Sequence, residues 1–208
     1  MSKLIHLFLF DIKLLRYLYS LPFVVHILCM ILIINFGSSS DSPFTSYTIV
    51  QGIAVPIAGW HLVFLYASLY DNGAKEALIN YYRKVIIIDI VRYMLLHAIF
   101  ILLLIFLTIK INGVEFFNSV LSIHLLILFV FYQIVGIAIL SATRSLEISL
   151  GIIATYTFME VVTQGTFMPW PHLFIFEEPV INIWLILTFI SLGVGILVSI
   201  YQIWREFK

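Results

Sequence analysis

The chain has 208 residues, 62% of them hydrophobic and only 11% charged, with eighteen Phe and a formal net charge of zero; its mean hydropathy is +1.12. Soluble domains carry about 25% charged and about 45–50% apolar residues, and a water-soluble fold of this size exposes too much surface to hide so much apolar material. A soluble enzyme, a nucleic-acid-binding module and a disordered chain are thereby excluded, and an all-α polytopic membrane domain over residues 1–208 is expected.

Residues 1–17 come first. At about 100° per residue, Lys3, His6, Lys13 and Arg16 fall within an arc of about 140°, and most of the remainder is Leu, Ile and Phe. That spacing predicts a helix lying in the membrane interface, its basic stripe toward the headgroups. Asp11 and Lys13 interrupt the apolar stretch and no small-residue cleavage site follows, so a cleaved signal is not expected.

A bilayer core about 30 Å thick needs about 20 apolar residues per helix. Six segments meet or nearly meet this: 18–36, 47–70, 92–111, 117–141, 148–164 and 180–204. The only cysteine, Cys29, lies in the first, so no intrachain disulfide is possible. In the second, Pro56 stands between Gly52 and Gly59 and predicts a kink.

The longest connection, residues 71–92, begins with the turn signal Asp71-Asn72-Gly73. A short helix over residues 74–85 is expected next. Ala74, Leu78, Tyr81 and Val85 form its apolar stripe, while Glu76, Asn80, Arg83 and Lys84 lie on the other side. Residues 142–147 read as a tight turn in which Arg144 sets topology. Residues 165–179 are apolar but broken by Pro169, Pro171 and Pro179, and the last segment carries Ser191, Gly195 and Ser199 with Gly193 between. Small residues at that spacing let helices approach closely, within one subunit or across a dimer.

Lys and Arg in short loops set orientation. With both termini cytoplasmic, ten of the eleven basic residues, Arg92 among them, fall inside and only Lys110 outside. The outer loops hold Asp41, Glu115, Glu177 and Glu178. Trp170 and Trp184 mark the outer boundary and Trp204 the inner one. A multi-pass protein of the cell membrane is expected.

This layout resembles the membrane subunits of type-2 ABC exporters, with six spans, an amphipathic elbow, a coupling helix between spans two and three and a partly helical re-entrant segment between spans five and six. Asp71, Gly73 and Glu76-Ala77-Leu78 resemble the coupling motif. Asp71 stands where Glu is usual, and Tyr81-Tyr82 where a Pro is usual. Lys84 or Arg92 corresponds to the basic residue before the third span, and residues 165–179 to the re-entrant segment. The resemblance implies a half-permease that pairs with a second copy or a related permease. Each half would dock on a cytoplasmic ABC ATPase through Asp71, Gly73, Glu76, Asn80, Arg83 and Lys84. The chain has no G-x-x-x-x-G-K-[ST] motif, so it is expected to bind no cofactor and to be no enzyme; ATP and Mg belong to the partner. The expected substrate is amphipathic or hydrophobic, a peptide, lipid or drug. Zero net charge gives no bulk attraction to nucleic acid.

Ionisable residues inside spans are functional candidates. His26, His61, His97 and His124 occupy four successive spans, the first three in the inner half. Interhelical hydrogen bonding, a metal or haem, and a proton path all remain open, although no metal-ligand spacing accompanies them. Glu160 would line an outer cavity, pair with a His or stay protonated. By the resemblance it would face the translocation path and bias it toward cationic groups. The competing classes are a secondary transporter and an intramembrane enzyme. For the enzyme, Glu177-Glu178 is the nearest feature, but it lacks the expected Arg and lies outside.

Overall fold

The computed structural model describes residues 2–37, 44–70, 75–166 and 171–208; of residues 2–4 and 75–77 it describes the backbone only. The described residues form helices and irregular connections. They include six helices long and apolar enough to cross a membrane, as a multi-pass membrane protein requires.

Helix α1 (Ser2–Leu15) ends at Arg16, whose φ of 52° breaks the helix before α2 (Tyr17–Phe36). The expected helix over residues 1–17 therefore ends two residues earlier, at Leu15, and Arg16 is where the chain bends. The second span (Thr45–Tyr70) is α3 (Thr45–Ile49), a π-turn over Val50–Ala54, α4 (Val55–Ala67) and a closing 3-10 turn. Pro56 has no N–H to give to the preceding turn, and the wider π-turn directly before it absorbs the disruption.

The largest departure from expectation is α5 (Lys75–Asn112), one uninterrupted helix of 38 residues. The expected coupling helix and third span are the same element, because the run Val85–Arg92 contains neither Gly nor Pro to stop it. At 1.5 Å per residue α5 is about 57 Å long, against a bilayer core of about 30 Å. Arg92 is consequently not a loop residue; it is buried along the helix.

The remaining helices have side-chain caps. Asn118 accepts from Leu121 N–H at the start of α6 (Ser119–Thr143) and Asn182 from Leu185 N–H at the start of α8 (Ile183–Phe207), both at 2.9 Å. Ser145 caps α7 (Leu146–Thr163) after Arg144 turns the chain in the left-handed region.

Helix α4 is the centre, touching α2, α5, α6 and α7, while α8 packs along the far side of α6. Gly59 makes the central crossing possible: a Cβ there would lie 2.2 Å from the Tyr132 carbonyl oxygen of α6. Gly195 faces inward in the same way, its Cβ position 2.6 Å from the Phe131 ring of α6, whereas Gly193 faces open space. One face of the bundle carries α1, the end of α4, the start of α5 and the end of α8, and is called the terminal face below. The other carries Phe44, Phe116 and the α7–α8 connection.

Replacing Gly59 by Leu should force α4 off the Tyr132 backbone and cost about 3 kcal/mol or more, read as a fall in unfolding temperature in detergent. Gly193→Leu in the same assay should stay within about 0.5 kcal/mol of the parent.

Candidate functional site

Two polar constellations are built into the bundle ends, with a third between them. At the terminal face, Arg92 Nη2 pairs with Asp11 of α1 and lies 2.9 Å from Asp89 Oδ1. Tyr93 Oη donates to Asp11 Oδ2 at 2.7 Å and Tyr66 Oη of α4 to Asp89 Oδ2 at 2.9 Å. The guanidinium also stands 4.9 Å from the rings of Phe8 and Tyr93. Asp11, Asp89 and Arg92 are all at most 6% exposed, so two carboxylates and one cation fasten α1, α4 and α5 together. Enclosure pushes the Asp11 carboxyl pKa up, opposed by the Tyr93 hydrogen bond and the Arg92 charge. Nearby, Tyr82 of α5 approaches Ser68 Oγ at 3.0 Å and stacks obliquely on Tyr66, which holds α5 to the end of α4.

Deeper in the bundle His26, His61 and His97 converge from α2, α4 and α5. His61 Nδ1 lies 3.1 Å from His97 Nε2, and the His26 and His97 ring centres are 5.3 Å apart. All three are fully buried and surrounded by Tyr19, Phe23, Tyr93 and Phe100. His26 donates from Nδ1 to the Pro22 carbonyl one turn earlier. Among the described residues, no group of three or more His, Cys, Asp or Glu is arranged to hold a metal ion.

At the opposite face, the chain between α7 and α8 enters the bundle without regular structure. Its described residues, 164–166 and 171–182, contain no helix. Glu160 Oε1 accepts from Leu173 N–H at 2.6 Å and Phe174 N–H at 3.0 Å. Gln51, within the π-turn, donates to Ile175 O at 2.6 Å and accepts from Ile175 N–H at 3.1 Å, much as a neighbouring strand would. His124 Nε2 donates to Leu173 O at 2.7 Å. That leaves Nδ1 to accept from Tyr47 Oη at 2.7 Å. Tyr156 Oη donates to Pro171 O. Side chains from the second, fourth and fifth spans thus replace the backbone partners that a helix would have supplied.

Of the residues singled out in the sequence, Glu160 is wholly enclosed, with His172 Nδ1 at 3.9 Å. Asn80, Arg83 and Lys84 are exposed on α5, and Arg83 turns toward the end of α8. Asp71 and Gly73 lie outside the described residues, as do the side chains of Glu76 and Lys3. His6, Lys13 and Arg16 are exposed. Four histidines in successive spans do not form one group, for His124 joins the opposite face. Gln51 and Asp89 were the signals left unread: each is a polar residue inside an apolar run, and Asp89 stands one turn before Arg92.

Arg92→Met should leave two enclosed carboxylates without their cation and lower stability by about 3–5 kcal/mol. Asp11→Asn/Asp89→Asn/Arg92→Met should recover most of that, measured by thermal unfolding in detergent. Glu160→Ala should orphan two buried N–H groups, at about 1–3 kcal/mol each. It should also make a Leu173→Cys probe reactive to a water-soluble maleimide. Glu160→Gln, which keeps an acceptor oxygen, should leave that probe shielded.

No family model, curated protein or solved structure matches the chain.

Proposed function

We propose that this chain is the transmembrane subunit of an ATP-driven exporter in the cell membrane, with both termini cytoplasmic. It pairs with a second half-permease and with two separate ABC ATPase subunits. The observation that carries the reading is the continuity of α5: the helix that begins at Lys75 is the same helix that crosses the bundle to Asn112. A displacement of its first turns cannot be absorbed by a hinge. It passes to α4 through Tyr82 and to α1 through Arg92 and Asp11. Such a lever suits mechanical coupling to a nucleotide-driven partner, with Asn80, Arg83 and Lys84 exposed in its first turns, Glu76 one turn before Asn80, and Asp71 and Gly73 earlier in the sequence.

In this reading the chain catalyses nothing and holds no cofactor; ATP and Mg act on the partner. A conformational shift follows only if the partner's nucleotide states bind the two arrangements unequally. The substrate is an amphipathic or hydrophobic peptide, lipid or drug, in keeping with spans that are mostly apolar. The enclosed His26–His61–His97 group favours one second reading, a proton-linked secondary transporter.

The tagged chain should bring down a stoichiometric soluble ATPase from its native membrane in mild detergent, identified by mass spectrometry. Glu76→Arg should abolish that recovery while leaving the chain itself folded. A preparation without any ATPase, together with transport that follows a pH gradient and stops in His61→Phe/His97→Phe, would transfer the assignment to the secondary transporter.

A further inference from the structure

Helix α8 follows α6 closely and barely meets α5. Between α5, α6 and α8 this leaves a cleft of about 400 Å³ at the terminal face, within the roughly 300–1,000 Å³ range of small-ligand sites. Isoleucines from all three helices make most of its wall, Ile86, Ile87 and Ile90 from α5 among them, and Trp204 and Phe207 close it at the end of α8. Two cations stand at its rim, Arg83 and Lys208, and among the described residues no acidic side chain lines it. Arg83 is exposed and makes no hydrogen bond or ion pair among the described residues, while Lys208 Nζ lies 4.5 Å from the Trp204 ring centre. From Arg83 to Ile90 the wall runs about 10 Å along the helix, from the terminal face toward the interior of the bundle.

We propose that this cleft is a binding site for one anionic glycerophospholipid of the leaflet at the terminal face, its acyl chain against the isoleucines and its phosphate between Arg83 and Lys208. A helix from a second copy, about 10–12 Å across with its side chains, is too wide to seat within this space, whereas a single acyl chain is not. The charge selects against a zwitterionic headgroup, whose own cation would meet two others. Basic pockets between spans hold anionic headgroups for this reason, each Lys or Arg near the surface adding attraction of similar size. Two such residues correspond to a preference of roughly thirtyfold. The inference does not rest on the transport reading and would hold for either class of transporter.

The test is native mass spectrometry of the purified full chain from mixed micelles of phosphatidylglycerol and phosphatidylcholine with identical acyl chains. The parent should retain one phosphatidylglycerol with at least about tenfold preference. Arg83→Gln/Lys208→Gln should bring the two lipids within about threefold of each other. Ile90→Trp, which fills the cleft and keeps both cations, should lose the retained lipid, and unchanged unfolding temperatures would establish that both variants fold. Glycerol 3-phosphate, the headgroup without chains, should fail to displace the lipid. Equal retention of both lipids by the parent would overturn the proposal. So would a preference that survives the double variant, a lipid retained by Ile90→Trp, or displacement by glycerol 3-phosphate at matched concentration.

Discussion

A backbone amide enclosed among membrane-spanning helices has no water to turn to, and a chain that leaves helical geometry there must find its partners in side chains. The stretch Pro171–Phe176 meets that requirement through Glu160, Gln51, His124 and Tyr156, drawn from three spans. Each hydrogen bond contributes only about 1 kcal/mol net, while each one unmade costs about 1–3 kcal/mol. The arrangement is therefore close to all-or-none. It explains why a carboxylate, an amide and an imidazole sit in spans that would pack more simply without them. It also binds the short α7 to a bundle in which its other outward side chains, such as Phe158 and Val162, are exposed.

The two faces are fastened by different physics. The face bearing the α7–α8 segment uses hydrogen bonds to backbone, which are directional and position a chain. The terminal face uses charge, with Arg92 serving two carboxylates on different helices. A buried ion pair adds little net stability, yet losing one partner is costly. That combination ties α1 to α5 in one register without making the bundle end unusually stable. Between the two faces, α4 passes through the Gly59–Tyr132 contact, where backbone meets backbone and little sliding is possible. Movement in such a molecule is more readily a tilt of α1, α4 and α5 together about that contact than a slide past it.

The spans were legible because hydropathy over about 20 residues reflects the thickness of the solvent itself; the ends of α2, α6, α7 and α8 fall within a few residues of the segments the sequence marks. The continuity of α5 was not: the helix expected over residues 74–85 and the span expected over 92–111 are one element, because Asp89 and Arg92 look like a connection to a hydropathy reading and are buried partners of α1 and α4 in the fold. The convergence of His26, His61 and His97 was foreshadowed by their shared depth, but their contact depends on how α2, α4 and α5 turn about their axes. The partners of Leu173 and Ile175 were beyond reach. Gln51 lies 124 residues from Ile175, and nothing local to either marks the pairing. Asp11 shows the same limit: it breaks an apolar stretch in the sequence, and only packing reveals the cation it meets.

The π-turn at Val50–Ala54 has a geometric consequence of its own. One additional residue in a helix of 3.6 residues per turn rotates everything beyond it by about 100°. The same span can thus aim Tyr47 and Gln51 at α6 and the entering segment while keeping Gly59 on α6 and aiming His61 at α5 below. It works as a phase shift, letting a single rod satisfy two sets of neighbours whose bearings are incompatible with one regular screw. Deleting one residue there would leave the span long enough to cross and its composition unchanged, and would still set its lower half facing the wrong way.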